Sequence, residues 1–254
     1  MPENNHSLAS KVALITGAAR NLGAVVAAEF ASHGASVAIT DFVFPPESLD
    51  RIEKLNSGPG RAVHFVSDAS DPAQIADACK RATETLGPID ILINNAGPFA
   101  MDPYLKLKVE DWDRVMDVNL RAIYLFAQQV APGMNARGWG RFINISAGSA
   151  FLRNHSVYGL AKAAVRFLTE ELALEMKPGV TVNAIAPGQI AESAPDIGAI
   201  DPTFIDRAIA ITPAGRLVTR PDVARMMVEL CSPAFDLVTG LTIPIDGGAR
   251  LPRF

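Results

Sequence analysis

Tyr158 and Lys162 stand four positions apart in a run whose apolar residues, Leu160, Ala164, Phe167, Leu168, Leu172 and Leu174, recur at helical spacing over residues 157–176. On a helix that spacing sets the two side chains one above the other on a single face. The pairing has a chemical use. A tyrosine hydroxyl titrates near 10, too high for proton transfer at neutral pH, but an adjacent ammonium favours the phenolate. Ser146 ends the apolar run 141–145 and is placed to hold a substrate oxygen within reach of the same hydroxyl. The pair alone is a weak signal, since it arises by chance with a probability of about 0.08 in a chain of this composition, and helical tyrosines more often pack at the edge of a core. It gains weight from what precedes it.

The elements that must position these groups begin with an apolar strand over residues 11–16, which runs into Gly17-Ala-Ala-Arg-Asn-Leu-Gly23 and a helix over 24–32. Strand, glycine turn and helix make the phosphate-binding start of a dinucleotide fold, where amides at a helix N-terminus meet a pyrophosphate. The glycine spacing is not the common G-x-G-x-x-G, and by itself it also suits an ordinary loop. A second strand over 36–40 ends at Asp41, 18 residues after Gly23, where an acid can bind the adenosine ribose hydroxyls or simply open a turn. A third strand, 61–66, is followed by Asp68, placed for an adenine contact. A fourth, 89–93, enters Asn94-Asn-Ala-Gly97, a turn whose amides suit tying strands together beside a cofactor. Strands at 141–145, 180–185 and 241–245 complete the set, the sixth leading to Pro187-Gly188 and the last to Asp246-Gly-Gly248.

Helices are expected from Asp71-Pro72 to about 86, over a long stretch 108–136 that carries Asn119 as its odd polar residue, and from 220 to about 230. Weaker helical patterns lie within 42–60 and near 202–210. Residues 189–217 are polar and broken by Pro and Gly, in the manner of an active-site lid. Strands alternate with helices and no linker or repeat intervenes. This predicts an α/β protein: a short N-terminal tail, 1–10, and one domain, 11–254, built as a Rossmann-like doubly wound parallel sheet of about seven strands with helices on both faces. Ligands on such sheets bind beyond the carboxyl ends of the strands, where Gly17, Asp41, Asp68, Asn94, Ser146 and Pro187 are all predicted to fall.

Composition narrows the function. A net charge of -4 and a pI near 5.6 argue against a nucleic-acid or anionic-membrane surface. Cys79 and Cys231 have neither metal nor disulfide spacing, which suits a reducing compartment, and no metal site is expected. The first residues lack a signal sequence and no apolar run reaches 18 residues, so a cytoplasmic protein is expected.

In this order and spacing the chain resembles the short-chain dehydrogenase/reductase family over residues 11–248. The resemblance is carried by Thr16-Gly17 with Gly23, Asp68, Asn94-Asn-Ala-Gly97, Asn119, Ser146, Tyr158 with Lys162, Pro187-Gly188, and Thr239-Gly240 ahead of Asp246-Gly-Gly248. It implies an alcohol–carbonyl oxidoreductase that uses a nicotinamide cofactor and usually assembles as a homotetramer. Tyr158 would be the general acid/base and Ser146 would polarise the carbonyl. Lys162 would bind the nicotinamide ribose and lower the Tyr158 pKa, while Asn119 would hold a water relaying protons to Lys162. The cofactor would touch Gly17, Arg20, Asn21, Leu22, Gly23, Asp41, Asp68, Ala69, Asn95, Ala96 and Gly97, with Pro187, Gly188 and Ile190 embracing the nicotinamide.

Two positions depart from the family pattern. Asn21 replaces the middle glycine of the phosphate loop, and Asn is among the few residues that tolerate positive φ. Glu192 stands where a Thr is common; its charge would be unfavourable beside a pyrophosphate, so Ser193 or backbone groups would serve instead. Asp41 opposes the 2′-phosphate of NADP and favours NAD, whereas Arg20 sits where NADP users often carry a basic residue; Asp41 is expected to prevail. Pro98, Phe99, Phe151, Arg153, Asn154, His155 and Gln189 are expected to line the substrate pocket, with Phe99, Asn154 and Gln189 beside Ser146 as the substrate contacts. His155 suits an ordinary surface position equally well. Their mixture points to a small polar substrate such as a sugar, polyol or cyclic alcohol. Reduction of 3-oxoacyl thioesters is the second reading, although Leu174 occupies the place where such reductases commonly carry an Arg for the acidic carrier protein. A non-catalytic nucleotide-binding scaffold is a third, disfavoured because a binder has no need of the Ser146, Tyr158 and Lys162 set.

Overall fold

In the computed structural model, which describes residues 7–151, 156–193 and 203–251, seven parallel strands lie in the order β3-β2-β1-β4-β5-β6-β7. They are β1 (Val12–Thr16), β2 (Ser36–Asp41), β3 (Ala62–Val66), β4 (Ile91–Asn94), β5 (Gly140–Ile145), β6 (Val180–Pro187) and β7 (Thr242–Ile245). Strand order runs outward in both directions from the β1–β4 pair, so the crevice of this doubly wound sheet opens there. The register sets Ile15 opposite Ile93 and Asn94 opposite Asn144, which brings the ends of β1, β4 and β5 side by side.

The strands are mostly apolar because both sheet faces are covered, with Asn94, Arg141, Asn144, Thr181 and Asn183 as buried polar exceptions. Side chains alternate between the faces. Ala13, Ile15, Val37, Ile39, Ile91 and Ile93 meet α1 (Asn21–Ser32) and α8 (Arg220–Glu229), with Val26, Phe30, Val223 and Met227 as partners. Leu14, Ala38, Leu92 and Phe142 meet α3 (Pro72–Leu86), α5 (Ala122–Arg137) and α6 (Val157–Glu175) through Ile75, Phe126 and Val165. Phe30 and Phe126 are wholly buried, each stabilising the fold by about 1.5–3 kcal/mol. Asp71 caps α3 by accepting from the amides of Ala73 and Gln74, with Pro72 at the first helical position, as its sequence predicts.

Leu8 is buried in the core and its amide donates to His33 O at 3.1 Å. Two expectations are adjusted. The long helix expected over 108–136 is α4 (Val109–Met116), a π turn at Asp117–Arg121, and α5. The π turn contains Asn119, the polar residue that apolar periodicity could not explain. The weak helical patterns are α2 (Pro46–Leu55) and α7 (Phe204–Ala210), the start expected near 202 for the latter lying outside the described residues.

Candidate active site

The nucleotide end of the site is built by close backbone approach. Gly17 has φ +63°, and a Cβ there would lie 2.7 Å from Ala96 Cα; at Gly23 it would lie 2.5 Å from Gly17 O. Asn95 locks this contact, its Nδ2 donating to Thr16 O and Gly17 O at 2.9 Å, while the amides of Asn95 and Ala96 donate to Thr16 Oγ1 at 3.0 Å. Asn21 takes φ +52°, the left-handed geometry its side-chain type tolerates, and Leu22 is buried beneath it. The first turn of α1 has neither a side-chain cap nor an acid, so its amide donors and helix dipole suit an anion. A pyrophosphate fits this cradle.

Asp41 accepts from the amides of Ala19 at 3.0 Å and Phe42 at 2.9 Å, which fixes the carboxylate at the end of β2. Arg20 is exposed and makes no ion pair among the described residues. Arg51, on α2, donates to Ala19 O at 3.0 Å and brings to this end a cation that no sequence motif singles out. Asp68 is not a free acid. Arg114 donates to its two oxygens at 2.7 and 2.9 Å, and Ser70 adds its amide and hydroxyl at 2.8 Å. Burial would raise the Asp68 pKa, but the bonds from Ser70 and Arg114 outweigh it and hold the carboxyl below its usual range. Ala69, beside it, is partly buried against the α3 side of the core.

At the other end of the candidate site, Lys162 is 2% exposed and its Nζ donates to Ile145 O at 2.7 Å. The same Nζ lies 5.5 Å from the centre of the half-buried Tyr158 ring, against which Phe99 packs edge-on at 4.8 Å. Burial pulls Lys162 down to about 7 and pushes the Tyr158 phenol up to about 12. The sequence expectation was of a tyrosine already lowered by its lysine; in the protein alone, loss of solvent outweighs that attraction. Asn119 donates from Nδ2 to Pro98 O at 2.9 Å and Val115 O at 3.0 Å, and its buried Oδ1 has no hydrogen-bond partner among the described residues. A Cβ on Gly97 would lie 2.3 Å from that oxygen and 3.3 Å from Lys162 Nζ, so the orphan acceptor and the amine converge beside Gly97.

Ser146 is buried, and its hydroxyl donates to Lys162 O at 2.8 Å, turned toward the backbone of α6. Asn94 links β4 to β5 through Asn144 Oδ1 at 2.8 Å, the strand-tying role its sequence position suggested. Pro187 ends β6; the Gly188 amide donates to Ile245 O at 2.8 Å and Ile190 bridges Val218, which fastens the segment meant to flank a nicotinamide. Gln189 donates from Nε2 to Ile190 O at 3.2 Å. Glu192 does not face the phosphate cradle: its two oxygens accept from the Arg220 amide at 3.1 Å, at the start of α8. Ser193 Oγ accepts from Arg220 at 3.4 Å. The expected substrate contact Asn154, with Arg153 and His155, lies outside the described residues, as does the middle of the expected lid.

A crevice at the switch point of a doubly wound sheet, with a glycine cradle on one side and the Tyr158–Lys162 pair on the other, defines a Rossmann-like fold. A family model described as enoyl-(acyl carrier protein) reductase matches residues 17–250. The oxidoreductase UcpA of Escherichia coli K12 is 36% identical over 257 residues, 97% of each chain. A D-beta-hydroxybutyrate dehydrogenase of Rhizobium meliloti is 31% identical over 255 residues, 94% of this chain and 98% of that one. The crystal structure of a putative short-chain alcohol dehydrogenase from Sinorhizobium meliloti 1021 superposes with a TM-score of 0.89 at 30% identity, over 96% of this chain and 98% of that one. The chain belongs to the short-chain dehydrogenase/reductase family of oxidoreductases. Among the described residues no helix is long and apolar enough to cross a membrane.

Proposed function

We propose that this protein is an NAD-dependent oxidoreductase that interconverts the carbinol and carbonyl of a small polar alcohol or ketone, of the sugar, polyol or cyclic-alcohol type. The observation that carries the reading is the convergence of Tyr158, Lys162 and the unpartnered Asn119 Oδ1 beside Gly97. A bound nicotinamide supplies or accepts the hydride, and the chain's own residues move the proton. Tyr158 takes the hydroxyl proton in oxidation and returns it in reduction. Lys162 sits where a proton leaving Tyr158 is accepted, and a water between its amine and Asn119 Oδ1 satisfies both. A hydroxyl at the exit of β5 donates to the developing alkoxide; Ser146, expected there from the family pattern, does so only by leaving Lys162 O.

Gly17, Asn21, Leu22 and Gly23 would cradle the pyrophosphate, Asp41 the adenosine ribose, and Asp68 with Ala69 the adenine edge. Arg20 flanks the ribose, Asn95 to Gly97 line the floor, and Pro187, Gly188 and Ile190 the nicotinamide side. Phe99, Asn154 and Gln189 would contact substrate. The fixed Asp41 carboxylate supports NAD over NADP, since it opposes a 2′-phosphate at close range. Two free, buried cysteines support a reducing compartment such as the cytoplasm, and the exposed Tyr124 and Phe167 on α5 and α6 support a homotetramer.

Reduction of 3-oxoacyl thioesters is the second reading, favoured by the similarity to the 3-oxoacyl-[acyl-carrier-protein] reductase FabG of Thermotoga maritima, 34% identical over 245 residues. Against it, Leu174 near the end of α6 is 82% exposed and offers an acidic carrier no charge. One experiment separates the readings: a panel of sugars, polyols, cyclic alcohols and 3-oxoacyl thioesters with each nicotinamide nucleotide, followed by absorbance of the reduced cofactor. Turnover confined to thioesters selects the second reading, and no turnover on the whole panel refutes both.

A further inference from the structure

We propose that Ser149, and not Ser146, donates the hydrogen bond that polarises the substrate oxygen, and that Ser146 is a positioning residue acting through Lys162. The assignment rests on the oxidoreductase reading above.

Ser146 is committed elsewhere. Its amide continues the sheet ladder to Ile185 O at 2.8 Å, and its hydroxyl closes on Lys162 O at 2.8 Å with the residue 1% exposed. Asn144, two residues earlier and therefore on the same side of β5, donates to Thr169 Oγ1 at 3.0 Å, also on α6. This side of β5 faces α6, and there the Ser146 hydroxyl is already engaged by Lys162 O. Lys162 answers in the opposite sense, Nζ to Ile145 O at 2.7 Å. Two bonds in opposite directions thus stitch the end of β5 to the helix turn that carries the amine.

Ser149 has the complementary property. It lies in the 3₁₀ turn Gly148–Ala150 just beyond β5, and its buried Oγ has no hydrogen-bond partner among the described residues. A hydroxyl removed from water and left unbonded carries a desolvation penalty, which a ligand oxygen at that point relieves. The turn packs against α6, the helix of Tyr158, and leans on the segment flanking the nicotinamide, since a Cβ on Gly148 would lie 3.3 Å from Pro187 O. It is also tethered to α6. Arg166 donates to Ala150 O at 3.4 Å and lays its guanidinium over the Phe151 ring at 4.2 Å, while Arg250 approaches the same ring at 5.0 Å. A donor fixed before substrate arrives needs no reorganisation as charge develops on the oxygen. Between the two serines stand only Ala147 and Gly148, so Ser149 is the first unengaged hydroxyl after the strand.

The test compares Ser149→Ala, Ser149→Thr and Ser146→Ala in the full-length enzyme, with the best substrate of the panel, and a melting temperature as the folding control. Ser149→Ala is expected to lower the kcat plateau about 10²–10³-fold, leave the pH limb of oxidation in place, and keep the Kd for NAD within twofold. Ser149→Thr, which keeps the hydroxyl, should recover at least tenfold of that loss. Ser146→Ala should lower the melting temperature and move the pH limb, because it loosens the turn that holds Lys162. A Ser149→Ala plateau within threefold of wild type, or a larger plateau loss for Ser146→Ala, overturns the assignment. Tyr158→Phe in the same assay separates the two levels: its survival would bring down the oxidoreductase reading itself, whereas its inactivity alongside an active Ser149→Ala would bring down only this proposal.

Discussion

Replacing Lys162 with methionine should abolish turnover and yet make the cofactor-free protein more stable. Burial lowers the Lys162 pKa from 10.5 to about 7. At 1.36 kcal/mol for each tenfold change, the native state gives up at most roughly 4–5 kcal/mol at pH 7 relative to an unfolded chain in which the amine is freely solvated. The bond from Nζ to Ile145 O at 2.7 Å offsets about 1.5–3 kcal/mol of this. Methionine fills nearly the same volume and carries no charge to desolvate, so a net gain of about 1–3 kcal/mol is expected, or roughly 2–4 °C for each kcal/mol in a chain of this size. The sign depends on pH in a distinctive way. Between pH 7 and 10.5 the unfolded lysine holds a proton that the native one has released, so wild-type stability climbs with pH across that window while the methionine variant lacks the climb. Below pH 7 both states of the wild type are protonated, and the advantage of methionine is at its fullest and flat. Urea denaturation of both proteins without cofactor, at equal protein concentration and at pH 6.5, 7.5, 8.5 and 9.5, measures this directly. A wild type more stable than Lys162→Met at pH 7, or a difference that does not shrink as pH rises, would refute the reasoning.

Four further outcomes are expected. Tyr158→Phe should fold and bind NAD normally but lose kcat by several orders of magnitude, as steady-state kinetics and a cofactor titration will read. The wild-type oxidative rate should rise through a limb near 7, because the Tyr158–Lys162 pair gives up its first proton there whichever member carries it; a limb near 12 would mean that Tyr158 titrates alone. Gly97→Ala should reduce kcat and weaken cofactor binding together, since its Cβ would stand 2.3 Å from Asn119 Oδ1 and 3.3 Å from Lys162 Nζ. The wild type should prefer NAD by at least about tenfold in kcat/KM, or 1.4 kcal/mol, and Asp41→Ala should narrow that gap mainly by admitting NADP; equal use of NADP by the wild type would show that Arg20 and Arg51 dominate.

The fold was legible because each level of the sequence agrees. Apolar runs of strand length alternate with helical patterns, and odd and even residues of β1 and β2 divide cleanly between the two helical layers. The Tyr158–Lys162 pairing was legible for a local reason: the two share one helix, so spacing alone sets their geometry. What escaped depends on partners distant in the chain. Nothing near Asp68 announces Arg114, 46 residues away, nor does α2 announce that Arg51 reaches Ala19 O. The orientation of Ser146 escaped for a related reason. A serine at a strand end is compatible with either face, and only the packing of α6 decides that its hydroxyl meets Lys162 O. The electrostatics were misjudged in sign for want of burial. Sequence proximity says that a lysine lowers its tyrosine, whereas burial acts more strongly on each group, the amine lowered to about 7 and the phenol raised to about 12. A polar group that reaches the pair opposes that loss of solvent. The Asn119 acceptor, buried without a partner beside Gly97, is where such a group has a bond waiting. The π turn that interrupts the long helix is what puts that acceptor there, at the expense of regular helix bonding in a stretch the core would otherwise keep straight.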